Sequence, residues 1–263
     1  MTESPAPGPA LRHADPFPDR TGPAVVLLPA FPLDHRLWDD VAASLPAPLR
    51  PIAVDLPGLG SPTAGEPSLE LAVDGVLALL DELGLDRAVV AGLSTGGYVA
   101  AMLAGRAPGR VAALALCDTT TEVGPPDVPA DRRRTADDLE QHGIEVVLDS
   151  VAEGLGPHAG PELAGRVESV IRSMDPAGVA WVCRALAARP DTSTAVRDFA
   201  GPVLLLFGEL DGPTPPAERL TALRALRPDA EAVVVPGSGH LTALEAPAEV
   251  AAALAALAAR ARP

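Results

Sequence analysis

Short, unbroken apolar runs punctuate this chain at residues 25–28, 52–54, 88–91, 111–116, 203–207 and 232–235. None alternates cleanly between apolar and polar positions, so each predicts a strand buried on both faces, as in a parallel sheet. Longer stretches between them repeat at helical spacing. Leu71, Val73, Val76, Leu77, Leu79 and Leu80 give residues 69–83 one broad apolar face, with Ser68 placed to cap it. Residues 218–226 read similarly, as do Pro247–Arg260, whose proline is tolerated in a first helical turn. Alternating strands and helices predict an α/β fold with a doubly wound, mostly parallel sheet.

Residues 119–200 break that rhythm. They hold no convincing strand, and apolar positions recur at threes and fours, as in Ile144, Val147, Leu148, Val151 and again in Val167, Val170, Ile171, Met174. The segment is expected to be a helical cap inserted between two strands, dividing the core into residues 1–118 and 201–263. Residues 1–23 are Pro-rich and either hold short edge strands or are partly disordered.

Composition narrows the chemistry. The 263 residues include 20 basic side chains, every one an arginine, so Schiff-base and phosphate-loop lysine mechanisms are excluded. A net charge of −15 opposes nucleic acid and anionic membrane as partners. Cys117 and Cys183 are too few for a disulfide framework or a four-thiolate zinc site, and no metal or organic cofactor is implied. The start of the chain has no apolar core of a secretory leader, and no run reaches membrane-spanning length. A cytoplasmic protein acting on a small molecule is expected, with its oligomeric state left open.

Gly92-Leu93-Ser94-Thr95-Gly96, followed by Gly97, stands directly after a buried run and before an Ala-rich helical stretch. This is the pattern of a nucleophile elbow, in which a tight strand-to-helix turn lifts the serine hydroxyl clear of the sheet and leaves no room for neighbouring Cβ atoms. A serine nucleophile needs a general base oriented by an acid. Of five histidines, His240 is best placed, in a Gly-rich loop after the last apolar run. His35 precedes the nucleophile, His142 and His158 fall in the inserted segment, and His13 lies in the weakly patterned start. Asp211 is the leading acid, with Glu209 the near alternative and Asp118 the distant one. Backbone N–H groups of Phe31 and Thr95 are expected to form the oxyanion hole. Phe31, Ser94, Asp211 and His240 each follow a different strand, and in a parallel sheet those carboxyl ends share the edge where ligands bind. Phe31, Thr95, Leu241 and Trp181 are the expected substrate contacts, Trp181 and Met174 being the apolar side chains of the cap that either meet substrate or pack its interior.

These motifs, with Phe31 through Trp38 and Asp55-Leu56-Pro57-Gly58-Leu59-Gly60-Ser61, resemble the α/β-hydrolase superfamily over most of the chain. Within it the sequence is similar to 3-oxoadipate enol-lactonases, esterases and cofactor-free haloperoxidases, the first through Cys117-Asp118-Thr119 and residues 126–134. The resemblance implies a serine hydrolase cleaving a small carboxylic ester or lactone. It departs from the family where Pro29-Ala30 replaces the usual His-Gly, and where Thr95 replaces Met or Gln. Enol-lactones carry carboxylates, for which Arg132, Arg133, Arg134, Arg172 and Arg184 are the available cap cations. Serine at position 94 excludes the aspartate-nucleophile dehalogenases and epoxide hydrolases of this fold. Carbon–carbon bond hydrolysis and perhydrolysis share the triad and stay open. So do a receptor-like binding protein with little turnover and a cyclase or acyltransferase on the same fold.

Overall fold

In the computed structural model, which describes residues 10–261, the six apolar runs all become strands of one seven-stranded sheet. In chain order the strands are β1 (His13–Ala14), β2 (Ala24–Leu28), β3 (Arg50–Val54), β4 (Leu56–Pro57), β5 (Gly60–Ser61), β6 (Ala88–Leu93), β7 (Val111–Cys117), β8 (Val203–Gly208) and β9 (Glu231–Val235). The sheet is ordered β1-β3-β2-β6-β7-β8-β9 and is parallel throughout, except that β1 runs antiparallel to β3. β4 and β5 pair separately. β1 is the edge strand expected near the start, while residues 1–9 of that expectation lie outside the described residues. β2, β6, β7 and β8 are buried along their whole length, as their unbroken apolar character requires. β9 differs: only Val235 is buried and Val234 is 42% exposed, because the strand lies at the rim where helical cover runs out.

Eleven α-helices stand among the described residues. α1 (Asp39–Ser44), α2 (Glu70–Glu82) and α3 (Thr95–Arg106) precede β7. α4 (Asp127–His142), α5 (Leu148–Ala152), α6 (Pro161–Arg172), α7 (Pro176–Ala187) and α8 (Ser193–Asp198) lie between β7 and β8. α9 (Pro216–Leu226), α10 (Thr242–Glu245) and α11 (Pro247–Arg260) complete the chain. α2 starts as its pattern requires, with the Ser68 hydroxyl accepting the Glu70 N–H at 3.2 Å. α3 lies across β2, β6 and β7 with α2 and α8 beside it, and α11 packs with α1 and against β7 and β8. Among the described residues no helix is long and apolar enough to cross a membrane.

The segment between β7 and β8 is tied down at both ends. Arg189, 8% exposed, donates to the carbonyls of Leu186, Glu122 and Val123, and its guanidinium stacks 4.2 Å from the Tyr98 ring of α3. One side chain thus joins the start of the segment, the end of α7 and the helix behind Ser94. Gly178 of α7 meets Gly58 backbone to backbone, with no room for a Cβ on either. Replacing Arg189 with alanine strands three carbonyls, and should lower unfolding free energy by about 2–3 kcal/mol in urea denaturation.

Candidate active site

Ser94 stands between β6 and α3 with φ 52° and ψ −109°, a left-handed conformation that a non-glycine residue holds only under constraint. The constraint is backbone contact. A Cβ on Gly92 would strike the Gly96 carbonyl, and one on Gly96 would strike the Leu28 carbonyl of β2. Ser94 N–H donates to Cys117 O at 2.9 Å, and the Thr119 hydroxyl donates to Ser94 O at 2.8 Å, so the turn is also bonded to the end of β7. Among the described residues the amides of Phe31 and Thr95 find no protein acceptor. Thr95 opens α3, where the leading N–H has no carbonyl one turn before it to bond.

The loops after β8 and β9 bring Asp211 and His240 together. His240 Nδ1 lies 3.0 Å from each Asp211 carboxylate oxygen, and the acid side chain is fully buried. Thr214 supports it, its N–H donating to Asp211 Oδ1 at 2.8 Å and its hydroxyl to Oδ2. The two alternative acids are engaged elsewhere. Exposed Glu209 accepts the Gly237 N–H at 2.8 Å, and Asp118 accepts from Gly208 N–H and the Thr242 hydroxyl. Burial works against a charged imidazole at His240, but the Asp211 hydrogen bond and the charges of Asp211 and Asp118 outweigh it and raise its pKa. Burial pushes both thiols up, Cys183 to about 11, which removes them as nucleophiles at neutral pH.

Sequence pattern did not reveal how the histidine loop is held. Glu245 Oε2 accepts the N–H groups of Gly156 and Gly239, each at 2.9 Å, and Oε1 accepts that of Leu241 at 3.2 Å. His240 N–H itself donates to Gly154 O at 2.7 Å, so the inserted segment and the loop share one frame. Thr214, three residues after Asp211, was the signal available for the acid loop, since an Asp with a Thr at that spacing forms a local turn. Leu241 is 2% exposed and packs in the core. Trp181 is half-buried on α7, its indole N–H on Gly65 O at 3.3 Å, and Met174 is buried.

The five arginines sort cleanly. Arg134 pairs with Asp131, Arg172 with Glu145 and Glu168, and Arg184 with Asp137 and Glu140, while Arg133 is exposed. Among the described residues Arg132 alone of the five is half-buried without a carboxylate partner, its guanidinium 5.3 Å from the Phe31 ring centroid. Its charge opposes protonation of His240 and of Cys183 on α7. Asp34, His35 and Asp55 bring three ligand atoms within 4.8 Å of one another beside a cleft of about 1170 Å³. Each is already occupied: Asp55 Oδ1 takes the His35 N–H and Nδ1 at 2.8 and 2.7 Å, and Asp34 is paired with Arg36. They brace the loop after β2 against β3.

A parallel sheet with a strained serine and an Asp–His pair at its carboxyl edge defines a hydrolase of the α/β class. The alpha/beta hydrolase family profile matches residues 25–253, and the chain belongs to that family. It is 30% identical to the pimeloyl-[acyl-carrier protein] methyl ester esterase of Citrobacter koseri, over 89% of this chain and 93% of that protein. Its match to the esterase of the same name from Aromatoleum aromaticum, 45% identical, spans 37% of this chain and 38% of that one. A malate-bound thermophilic esterase from Thermogutta terrifontis superposes with a TM-score of 0.87 at 32% identity, covering 93% and 91% of the two chains. The enol-lactonase of Burkholderia xenovorans gives 0.84 at 25%, covering 94% and 95%. The expected branch of the superfamily is therefore met. Gly96→Ala should cost about 3 kcal/mol, read by chemical denaturation, because the backbone of β2 cannot yield to the added methyl.

Proposed function

We propose that this chain is a serine hydrolase of small carboxylic esters or lactones, with Ser94, His240 and Asp211 as its triad. Ser94 Oγ attacks the carbonyl carbon while His240 Nε2 takes the hydroxyl proton. The carbonyl π pair moves to oxygen, and the N–H groups of Phe31 and Thr95 stabilise that oxyanion. Collapse of the intermediate breaks the bond to the leaving oxygen, which receives the proton from His240. Water then attacks the acyl-enzyme by the same route in reverse, releasing the acid and restoring Ser94. Asp211 fixes the imidazole tautomer and offsets its transient positive charge. The observation that carries this reading is the Asp211–His240 pair, with both oxygens at 3.0 Å, on the same sheet edge as the strained Ser94. The segment between β7 and β8 acts as a cap over that edge.

The preferred substrate carries an anionic group. Arg132, unpaired and stacked on Phe31 beside the oxyanion loop, is suited to hold a carboxylate of the acyl chain. The names of two relatives accord with this: one esterase is malate-bound, and another relative is an enol-lactonase. No metal or organic cofactor enters the chemistry.

Fluorophosphonate labelling followed by intact mass tests the nucleophile. One adduct is expected in the wild type and none in Ser94→Ala, whose ester turnover should fall at least about 10³-fold. A folded wild type that takes no adduct would overturn the hydrolase in favour of a binding protein. Arg132→Gln should lose about 10- to 100-fold in kcat/KM on a mono-p-nitrophenyl glutarate. On neutral p-nitrophenyl butyrate the same variant should change by less than about 2-fold, within ordinary context effects. Equal loss on both esters would remove the carboxylate role. The imidazole must be neutral to accept the serine proton, and its pKa is raised. The acid limb of kcat/KM should therefore lie above the ordinary histidine value of 6.5, with activity lost as pH falls through it.

A further inference from the structure

Asp118 follows β7, the strand between the one that delivers Ser94 and the one that delivers Asp211. Its φ of 46° lies in the left-handed region, which asparagine and aspartate enter more readily than other side chains but still only with support. That support reaches both neighbouring loops. The Asp118 N–H donates to Leu206 O at 2.9 Å, and its Oδ1 accepts the N–H of Gly208, the last residue of β8, at 2.8 Å. Oδ2 accepts the hydroxyl of Thr242, two residues beyond His240, at 2.5 Å. The residues flanking it, Cys117 and Thr119, are the ones bonded to Ser94. The carboxyl itself is wholly buried, where an unassisted polar group costs stability and an apolar side chain would not.

We infer that Asp118 is a positioning residue for the reaction, fixing the Asp211 and His240 loops to the nucleophile strand and acting on His240 as a second carboxyl behind Asp211. The inference rests on the serine-hydrolase reading above. The charged groups facing His240 are Asp211 from the loop after β8, Asp118 from the end of β7 and Arg132 from α4. Glu245 of α10 is engaged with the amides on either side of the ring's own residue. Facing Asp118 are His240, Asp211 and the adjoining Cys117. Burial and the neighbouring Asp211 raise the Asp118 pKa, while His240 and the bonds from the Thr242 hydroxyl and the Gly208 N–H, both made to the carboxylate, pull it back down. The influence is mutual: Asp118 favours the imidazolium that forms when Ser94 gives up its proton.

Two variants separate the geometric and electrostatic parts. Asp118→Asn keeps the shape, the acceptor for Gly208 and the tolerance of positive φ, but loses the charge. Asp118→Gly relieves the backbone and removes both links. The asparagine variant should melt near the wild type and lose about 10-fold in kcat with KM within about 2-fold, because binding is untouched while the transition state is not. Its acid limb should move to lower pH. The His240 ring proton, assigned by its disappearance in His240→Gln, should titrate lower in NMR by the same sign. The glycine variant should lose about 10²-fold in kcat, the usual size of a misplaced catalytic group. A purely structural side chain would let asparagine restore both the pH profile and the titration, and that result overturns the inference. The NMR titration needs no turnover, so the two readings fail separately. An unchanged His240 titration removes the role of Asp118 alone, whereas absence of a Ser94 adduct removes the reaction it would serve.

Discussion

One backbone contact governs the molecule. The first turn of α3 lies directly on the ends of β2 and β6, with Gly96 against the Leu28 carbonyl and Gly92 against Gly96. Any Cβ at either glycine would push helix and sheet apart. Because they stay together, the chain must pass through Ser94 at φ 52°, and the side chain leaves the sheet at its carboxyl rim instead of entering a face. The leading amide of α3 arrives at the same rim. The loops after β2, β7, β8 and β9 converge there because parallel strands end together.

The strands of that sheet were legible because each is a run of apolar residues too short for a helix and too continuous for a half-exposed strand. Ser94 was legible because the elbow needs small residues at fixed spacing, and Asp211 and His240 because they follow strands. What was not legible depends on contacts distant in sequence. Nothing local separates Asp211 from Glu209. The distinction appears only when Glu209 is found on the Gly237 amide and Asp211 on the imidazole. Asp118 and Thr242 are 124 residues apart, and no periodicity reports their bond. β4, β5 and α1 escaped because two-residue strands and a six-residue helix have no period to read. β9 is as apolar as its neighbours, and only its place at the rim exposes it.

The net charge of −15 gives no hint of the local field at the site. Two buried carboxyls act on one imidazole, as does an arginine that has no acidic partner among the described residues. The carboxyls favour the imidazolium and the arginine opposes it, a balance suited to the proton transfer proposed for His240. The other cap arginines cannot share this task, since their guanidinium groups are bound to carboxylates on exposed helix faces or stand in solvent. An unpaired cation stands out in an acidic protein, because acids are abundant and pairing is easy. Among the described residues Arg132 has no carboxylate partner and faces the Phe31 ring instead.

The inserted segment is bonded into this frame at the histidine loop. Gly154 O holds the backbone of His240, and one oxygen of Glu245 holds Gly156 and Gly239 together. Gly239 needs to be glycine, since a Cβ there would run into the backbone of residues 154–156. Separating segment from loop at this point breaks the bond from His240 N–H to Gly154 O and takes the Gly156 amide from the Glu245 carboxylate, a cost of two hydrogen bonds, one of them to a charged group. A shift of the segment near Gly154 is therefore a shift of His240. The side chains proposed to meet substrate, Arg132 on α4 and Trp181 on α7, make a contact with the Phe31 ring and one long hydrogen bond to Gly65 O. On the proposed reading, main-chain bonds fix the backbone that carries the imidazole, while the side chains that would receive substrate are held by fewer polar contacts.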